Sequence, residues 1–109
     1  MLSGPCVGEM VIQDFKQREQ AVLCLIKDSG IEFDEVGIFG SYARNEFKAT
    51  SDIDFCIITR VKPDRAISGE LREDAAALKS DIVYVTPQYF SSDTSKFAIN
   101  LRKDYRRLL

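Results

Sequence analysis

The sequence predicts one small domain of the α/β (α+β) class, with a short mixed sheet of at least three strands flanked by helices. Stretches with apolar residues at helical spacing alternate with short runs of β-branched and aromatic residues. The 109 residues are 45% hydrophobic and 29% charged, which is an ordinary globular composition and enough for one core. We expect a loose N-terminal lead-in over residues 1–9 and one folded domain over residues 10–109.

The first half of the folded part is predicted to run helix, strand and short helix. Residues 10–27 carry apolar side chains at helical spacing, and Gly30 is a typical residue for ending a helix. Residues 35–39, with the sequence EVGIF, form the kind of short apolar run that is typical of a strand. A short helix is expected to begin directly after this strand, at residues 40 and 41.

The second half contains the strongest strand signal in the chain, IDFCIIT at residues 53–59. An amphipathic helix follows, with Ile67, Leu71, Ala75 and Leu78 on one face. The run DIVYV at residues 81–85 predicts a third strand. Thr86 and Pro87 then indicate either a stop or the cap and first position of one more turn. A last helix is expected over residues 96–108, with Phe97 on its apolar face.

Composition excludes several classes of protein. The chain has no histidine, which excludes Ser-His-Asp and Cys-His catalysis and His-rich zinc sites. The three cysteines are odd in number and include no CxxC pair, so we expect two buried structural thiols and one in the loose N-terminus, in a reducing cytoplasm. A net charge of −2 argues against a strongly basic nucleic-acid binder. No apolar stretch is as long as a membrane span, and the N-terminus lacks the features of a signal peptide.

Three aspartates stand where strands rarely carry them. Asp54 lies inside an apolar strand, and Asp52, two positions earlier, points to the same face. Asp81 begins the next strong strand, and its carboxylate joins the pair if the two strands are neighbours. Converging carboxylates repel one another, and a hard cation such as Mg²⁺ or Mn²⁺ relieves that repulsion. The alternative is that these residues cap turns or lie on a solvated edge.

The pair Gly40-Ser41 follows the first strand and opens a short helix. A small residue lets a phosphate approach the backbone, and the free N–H groups at a helix start attract an anion. The alternative is an ordinary glycine turn with a serine cap, which is common. Its position eleven residues before Asp52 favours a phosphate site next to a metal site.

The run GSYARNEFKATSDIDF resembles the signature of the polymerase beta-like nucleotidyltransferase superfamily, which is Gly-Ser, ten residues, then Asp-x-Asp. Gly40, Ser41, Asp52 and Asp54 fit that spacing, and Asp81 matches the third carboxylate of the family. One departure is Asn45, which stands where many relatives have glycine. Asparagine tolerates a left-handed backbone, so the turn is expected to survive.

The resemblance implies a minimal nucleotidyltransferase, the MNT-type antitoxin of HEPN/MNT toxin–antitoxin pairs, which transfers AMP from ATP to its toxin. It implies two Mg²⁺ ions held by Asp52 and Asp54, with Asp81 completing the acceptor-side metal and able to take the acceptor proton. Gly40 and Ser41 would cradle the phosphates. Arg44 would neutralise phosphate charge, or is otherwise a solvated surface arginine.

The same resemblance implies a helical HEPN-type toxin as partner, ATP as substrate and a possible hetero-oligomer. Composition and charge add the expectation of a cytoplasmic location and of no direct contact with nucleic acid or membrane. Two other functions stay open. The chain could be a non-catalytic nucleotide-binding module that inhibits its partner by masking it, or a small-molecule (antibiotic) nucleotidyltransferase. The basic C-terminal run LRKDYRRLL is interpreted as a solvated helix face, or as a contact surface for an acidic partner.

Overall fold

The structure is a computed structural model that describes the backbone of residues 4–109 and the side chains of residues 8–109. It confirms the α+β class. The elements, in chain order, are α1 (Gly4–Asp28), β1 (Glu35–Phe39), α2 (Gly40–Ala43), β2 (Ile53–Ile58), α3 (Arg65–Ala77), β3 (Ser80–Val85), α4 (Pro87–Ser92), α5 (Lys96–Asp104) and β4 (Arg106–Arg107).

The four strands form one mixed sheet in the order β3-β2-β1-β4. β1 pairs antiparallel with both β2 and β4, whereas β2 and β3 are parallel. Parallel neighbours need a crossover connection, and α3 supplies it. The parallel pair brings the starts of β2 and β3 to the same edge of the sheet. That edge also holds the end of β1, since β1 runs antiparallel to β2.

The side chains of β2 alternate between two apolar clusters. Ile53, Phe55 and Ile57 pack into the larger cluster, with residues of α1 and α3. Cys56 and Ile58 pack on the other face, with Leu101 of α5. Both faces of this strand are therefore covered, and Asp54 shares the α5 face of the sheet.

Both terminal helices differ from their predicted bounds. α1 begins at Gly4 rather than at Met10, so most of the predicted loose lead-in over residues 1–9 is helical, and residues 1–3 lie outside the described part. The last helix ends at Asp104 rather than at Leu108. The chain beyond it pairs with β1: the backbone N–H groups of Leu108 and Leu109 both donate to the carbonyl of Val36. This pairing with a distant strand overrides the helical pattern of the sequence.

Several side chains also differ from their expected burial. Ile67 and Phe97 were expected in the core but are 38% and 44% exposed. Cys24 is exposed, whereas Cys56 is buried as expected for a structural thiol. The extra turn indicated by Thr86 and Pro87 is confirmed, because the Thr86 hydroxyl caps α4 by accepting from the N–H of Tyr89. None of the helices in the described part of the chain is long and apolar enough to cross a membrane.

Candidate active site

Strand register brings the predicted acidic residues to one edge of the sheet. Asp54 pairs with Phe39 at the end of β1 and with Asp81 at the start of β3. Paired residues on neighbouring strands point to the same face, so Asp54 and Asp81 lie side by side. Asp52 immediately precedes β2, two residues before Asp54. Asp52 and Asp81 are exposed, and Asp54 is partly buried.

The electrostatics of this edge are those of crowded like charges. The pKa of Asp54 is raised to about 6, first by burial and then by the negative charges of Asp81 and Asp52, while the positive charge of Arg44 opposes the rise. Across residues 8–109, no hydrogen bond or ion pair involves any of the three carboxylates. The three carboxylates are close enough to repel one another, and no cationic side chain within residues 8–109 pairs with them.

The donor set fits a hard divalent cation. Carboxylate oxygens are the ligands that Mg²⁺ prefers, and a bound cation would remove the repulsion that raises the pKa of Asp54. Within the described side chains, no group of three or more acidic, cysteine or histidine residues is already gathered into a metal site. The three aspartates therefore supply suitable chemistry, and gathering them around an ion would need side-chain movement.

Gly40 lies directly against Asp54. Its backbone is left-handed, with φ +78°, and a Cβ atom built on it would collide with Oδ2 of Asp54. Any side chain at this position would therefore displace the carboxylate. From the sequence, Gly40 was expected only to let a phosphate approach the backbone. The strand register shows that a glycine is also needed there to make room for Asp54.

The short helix α2 is held in place by aromatic packing. Tyr42 is buried, and its ring lies 5.2 Å from that of Phe15 and 4.9 Å from that of Phe47, centroid to centroid. Ser41 lies in the only turn of α2 and is partly exposed, beside the carboxylate edge. Asn45 ends the turn with φ +62°, the left-handed conformation that its side chain was expected to tolerate.

Arg44 is neither a free surface arginine nor paired with the three aspartates. Its Nε donates to Glu46 at 2.8 Å, and its Nη1 donates to Asp104 at the end of α5, at 2.7 Å. It therefore bridges the α2 turn and α5. Its positive charge still acts on Asp54, where it opposes the rise in the pKa of that carboxyl.

Arg18 is a supporting residue that the sequence analysis missed. Its guanidinium Nη1 donates to the carbonyls of Leu78 and Lys79, at 3.3 and 3.4 Å, in the turn that leads to Asp81. The Arg18 side chain is only 10% exposed. A sequence signal existed, because Arg18 falls three residues after Phe15 on the apolar face of α1, where a cation is unexpected.

Comparison with known proteins addresses the fold and the family. The profile of the nucleotidyltransferase domain family matches residues 18–108. No curated protein is similar enough to count as a match.

Three solved structures illustrate the likeness in fold. A toxin–antitoxin complex with AMP-PNP is 24% identical, with a TM-score of 0.61 over 84% of this chain and 72% of that chain. The Shewanella oneidensis complex of a tri-AMPylated HEPN toxin with its MNT antitoxin is 20% identical, with a TM-score of 0.56 over 86% and 71% of the two chains. A candidate nucleotidyltransferase from Sulfolobus solfataricus is 22% identical, with a TM-score of 0.58 over 98% and 89%. Since the family profile covers most of this chain, the protein belongs to the nucleotidyltransferase domain family.

Proposed function

We propose that this protein transfers AMP from ATP to a hydroxyl group of a partner protein, as the antitoxin of a HEPN/MNT pair. The observation that carries the proposal is the set of three unpaired aspartates, Asp52, Asp54 and Asp81, at one edge of the sheet. Similar folds occur in toxin–antitoxin complexes, one with an ATP analogue and one with an AMPylated HEPN toxin. The family assignment supports the reaction class, and these complexes support the partner.

The three aspartates are the residues that would hold Mg²⁺. When bound, Mg²⁺ would neutralise triphosphate charge and stabilise the attacking and leaving oxygens. Gly40 and Ser41 adjoin this edge, where the open backbone of Gly40 and the hydroxyl of Ser41 are suited to bind phosphate oxygens. Arg44 would contribute positive charge from the far side of the same turn.

In the proposed reaction, the acceptor oxygen forms a bond to the α-phosphorus of ATP. The bond from that phosphorus to the bridging oxygen breaks, and pyrophosphate leaves. The proton of the acceptor hydroxyl passes to a carboxylate oxygen of Asp81, since the chain has no histidine to take it. Asp81 suits this step because it is exposed at the start of β3, where an incoming acceptor would arrive.

Exposure of the site supports a protein acceptor. Asp52 and Asp81 are both exposed, so a docked partner could cover them and exclude water while it places its hydroxyl in line with the α-phosphate. A tyrosine of a helical HEPN-type toxin is the proposed acceptor.

The test is to co-express the chain with the protein encoded by the neighbouring gene and to measure the intact mass of that protein. We expect one or more AMP units on the partner, located by peptide sequencing, and none with Asp52→Ala. Asp74→Ala, which changes an exposed aspartate of α3, is the matched control and should leave the modification unchanged. An unmodified partner that is nevertheless inhibited would indicate masking. Transfer to aminoglycosides with an unmodified partner would indicate an antibiotic-modifying enzyme.

Asp81→Asn separates nucleotide binding from chemistry. If Asp81 acts on the acceptor side, this variant should bind ATP with Mg²⁺ almost as well as the parent but transfer no AMP. A loss confined to the chemical step identifies an interaction made mainly in the transition state. Calorimetry measures the binding and intact mass measures the transfer; full transfer by the variant would contradict the role of Asp81.

A further inference from the structure

A cavity of about 420 Å³ lies at the opposite end of β2 and β3 from the three aspartates. Its floor includes Thr59 and Thr86, each the residue that follows its strand. Strands rise about 3.3 Å per residue, which places these threonines roughly 16 Å along the strands from Asp54 and Asp81. The cavity also lies beneath α3, on the face of the sheet opposite α5. It is therefore distinct from the candidate active site.

The lining of this cavity is strongly basic. Four cationic side chains contribute to it, and no aspartate or glutamate does, although acidic residues outnumber basic ones in the whole chain, 17 to 15. Arg60 forms an exposed ion pair with Asp34, at 3.2 Å. Among the described residues, the other three cations form no ion pair; they are Lys62, Arg65 and Arg72.

The acidic residue that lies among these cations in sequence does not pair with them. Asp64 lies between Lys62 and Arg65 in sequence, but its Oδ1 caps α3 by accepting from the N–H groups of Ala66 and Ile67, at 2.9 and 3.2 Å. Lys62, Arg65 and Arg72 therefore have no ion-pair partner among the described residues, whereas Arg60 is paired with Asp34.

An aromatic ring, hydroxyl groups and three apolar side chains make up the rest of the lining. Tyr84 is partly buried, and the guanidinium carbon of Arg72 lies 5.5 Å from the centre of its ring, a cation–π contact that holds the arginine beside the cavity. Thr86 adds a hydroxyl donor, whereas the Ser68 hydroxyl in the lining already donates to the carbonyl of Arg65 at 3.2 Å. The volume is in the usual range for sites that bind small molecules.

We infer that this basic cavity is a second ligand site, which binds a small molecule carrying phosphate groups. Arginine guanidinium groups pair with phosphate oxygens through two parallel hydrogen bonds, and a bound anion would remove the repulsion among the cations. The inference does not depend on AMP transfer, since none of the residues involved belongs to the carboxylate edge.

The test is calorimetric titration of the 109-residue chain in EDTA, where metal-dependent binding at the carboxylate edge is silent. The probes are inorganic pyrophosphate, AMP and adenosine, at constant ionic strength. We expect the two phosphate probes to bind, and Arg65→Gln/Arg72→Gln to weaken their binding by about tenfold or more. The control, Lys48→Gln/Lys103→Gln, removes the same charge from two exposed positions outside the cavity and should leave binding unchanged.

Equal affinity for pyrophosphate and AMP would identify phosphate alone as the recognised group, whereas tighter binding of AMP would add the nucleoside. Lys62→Gln/Arg65→Gln provides a second variant that leaves the Arg72–Tyr84 contact in place, and it should also weaken binding. Equal weakening by the control variant, binding of adenosine alone, or no binding of either phosphate probe would overturn the inference.

Discussion

Two glycines with nearly the same backbone angle meet different surroundings. Gly30 ends the turn after α1 with φ +79°, and a Cβ atom there would meet no atom within 4 Å. Gly40 has φ +78°, and a Cβ atom there would collide with the Asp54 carboxylate. Comparing substitutions at Gly30 and Gly40 therefore separates the cost of a left-handed backbone from the cost of displacing Asp54.

Gly40→Ala should therefore reduce both stability and activity, whereas Gly30→Ala should reduce stability alone. Each substitution forces alanine into the left-handed region, at a cost of about 1 kcal/mol. Only Gly40→Ala also moves Asp54, so only this variant should lose AMP transfer. Urea unfolding measures the first effect and intact mass of the partner measures the second. Full transfer by Gly40→Ala would contradict the placement of Asp54 at the site.

The raised pKa of Asp54 predicts a pH-dependent stability in metal-free protein. The folded chain keeps this proton up to about pH 6, while the unfolded chain releases it near the ordinary value of 3.8. The folded state thus binds more protons between these values, so the free energy of unfolding falls as pH rises from about 4 to about 6. Below about pH 4 the Asp54 carboxyl is protonated in both states, so this loss of stability is absent.

The substitution Asp54→Asn should remove this pH-dependent fall in the free energy of unfolding. In EDTA at pH 7, the variant should be more stable than the parent by an amount on the order of 1 kcal/mol after solvent screening. The difference should vanish below about pH 4. Urea unfolding across this range measures it, with Asp74→Asn as an exposed control that leaves the curve unchanged. Parallel curves for the parent and Asp54→Asn would show that neither burial nor the neighbouring carboxylates raise the pKa of Asp54 in the folded state.

The edge strand β4 depends on a glycine in its neighbour. The ring of Tyr105 lies over Gly37 of β1, where a Cβ atom would collide with the ring and would lie 2.7 Å from the carbonyl oxygen of Arg106. The Tyr105 hydroxyl also donates to Glu35 at 2.6 Å. Ring contact, hydrogen bond and strand pairing together hold the residues after α5 against the sheet.

Gly37→Ala should destabilise the protein by displacing Tyr105 and β4 from β1. Overpacking of this kind costs about 1–3 kcal/mol. Gly69→Ala is the matched control: Gly69 lies within α3, a Cβ atom there meets nothing within 4 Å, and alanine should stabilise the helix by about 0.5–1 kcal/mol. Thermal unfolding and amide exchange of residues 105–109 measure both. Equal stability of the two variants would contradict the tight contact between Tyr105 and β1.

The whole domain has opposite charges at the two ends of its parallel strands. Unpaired carboxylates lie at the starts of β2 and β3, and the basic cavity lies beyond their ends. Ligands at the two places should respond differently to metal, because only the carboxylates need a cation to accept a phosphate.

Thermal unfolding with ATP should separate the Mg²⁺-dependent binding at the aspartates from the metal-independent binding at the basic cavity. With Mg²⁺ and ATP at about 100 times the dissociation constant, binding stabilises the folded state by about 2.7 kcal/mol, and the melting temperature rises with ATP concentration. Asp52→Ala/Asp54→Ala should keep the fold, since removing clustered charges relieves repulsion, but should lose the part of the shift that needs Mg²⁺. Equal Mg²⁺-dependent shifts for parent and variant would contradict a metal-dependent nucleotide site at these residues.

The sequence by itself determined the class of fold, most of the elements and the family. Helical and strand periodicity are local properties, and they predicted β2 and most of the helices. The spacing from Gly40-Ser41 to Asp52 and Asp54 is also local, because one short segment of chain carries it. Asn45 tolerates the left-handed turn for a reason that lies in its own side chain.

Only the tertiary structure decided what depends on pairing between distant segments. The pairing of residues 106–107 with β1 ends the last helix at Asp104, against its own apolar pattern. Strand register places Asp81 beside Asp54, and the same packing presses Gly40 against that carboxylate. Arg18 and the basic cavity likewise join segments far apart in sequence. Such contacts depend on which surfaces meet in the folded protein, so the residue pattern of a single segment does not predict them.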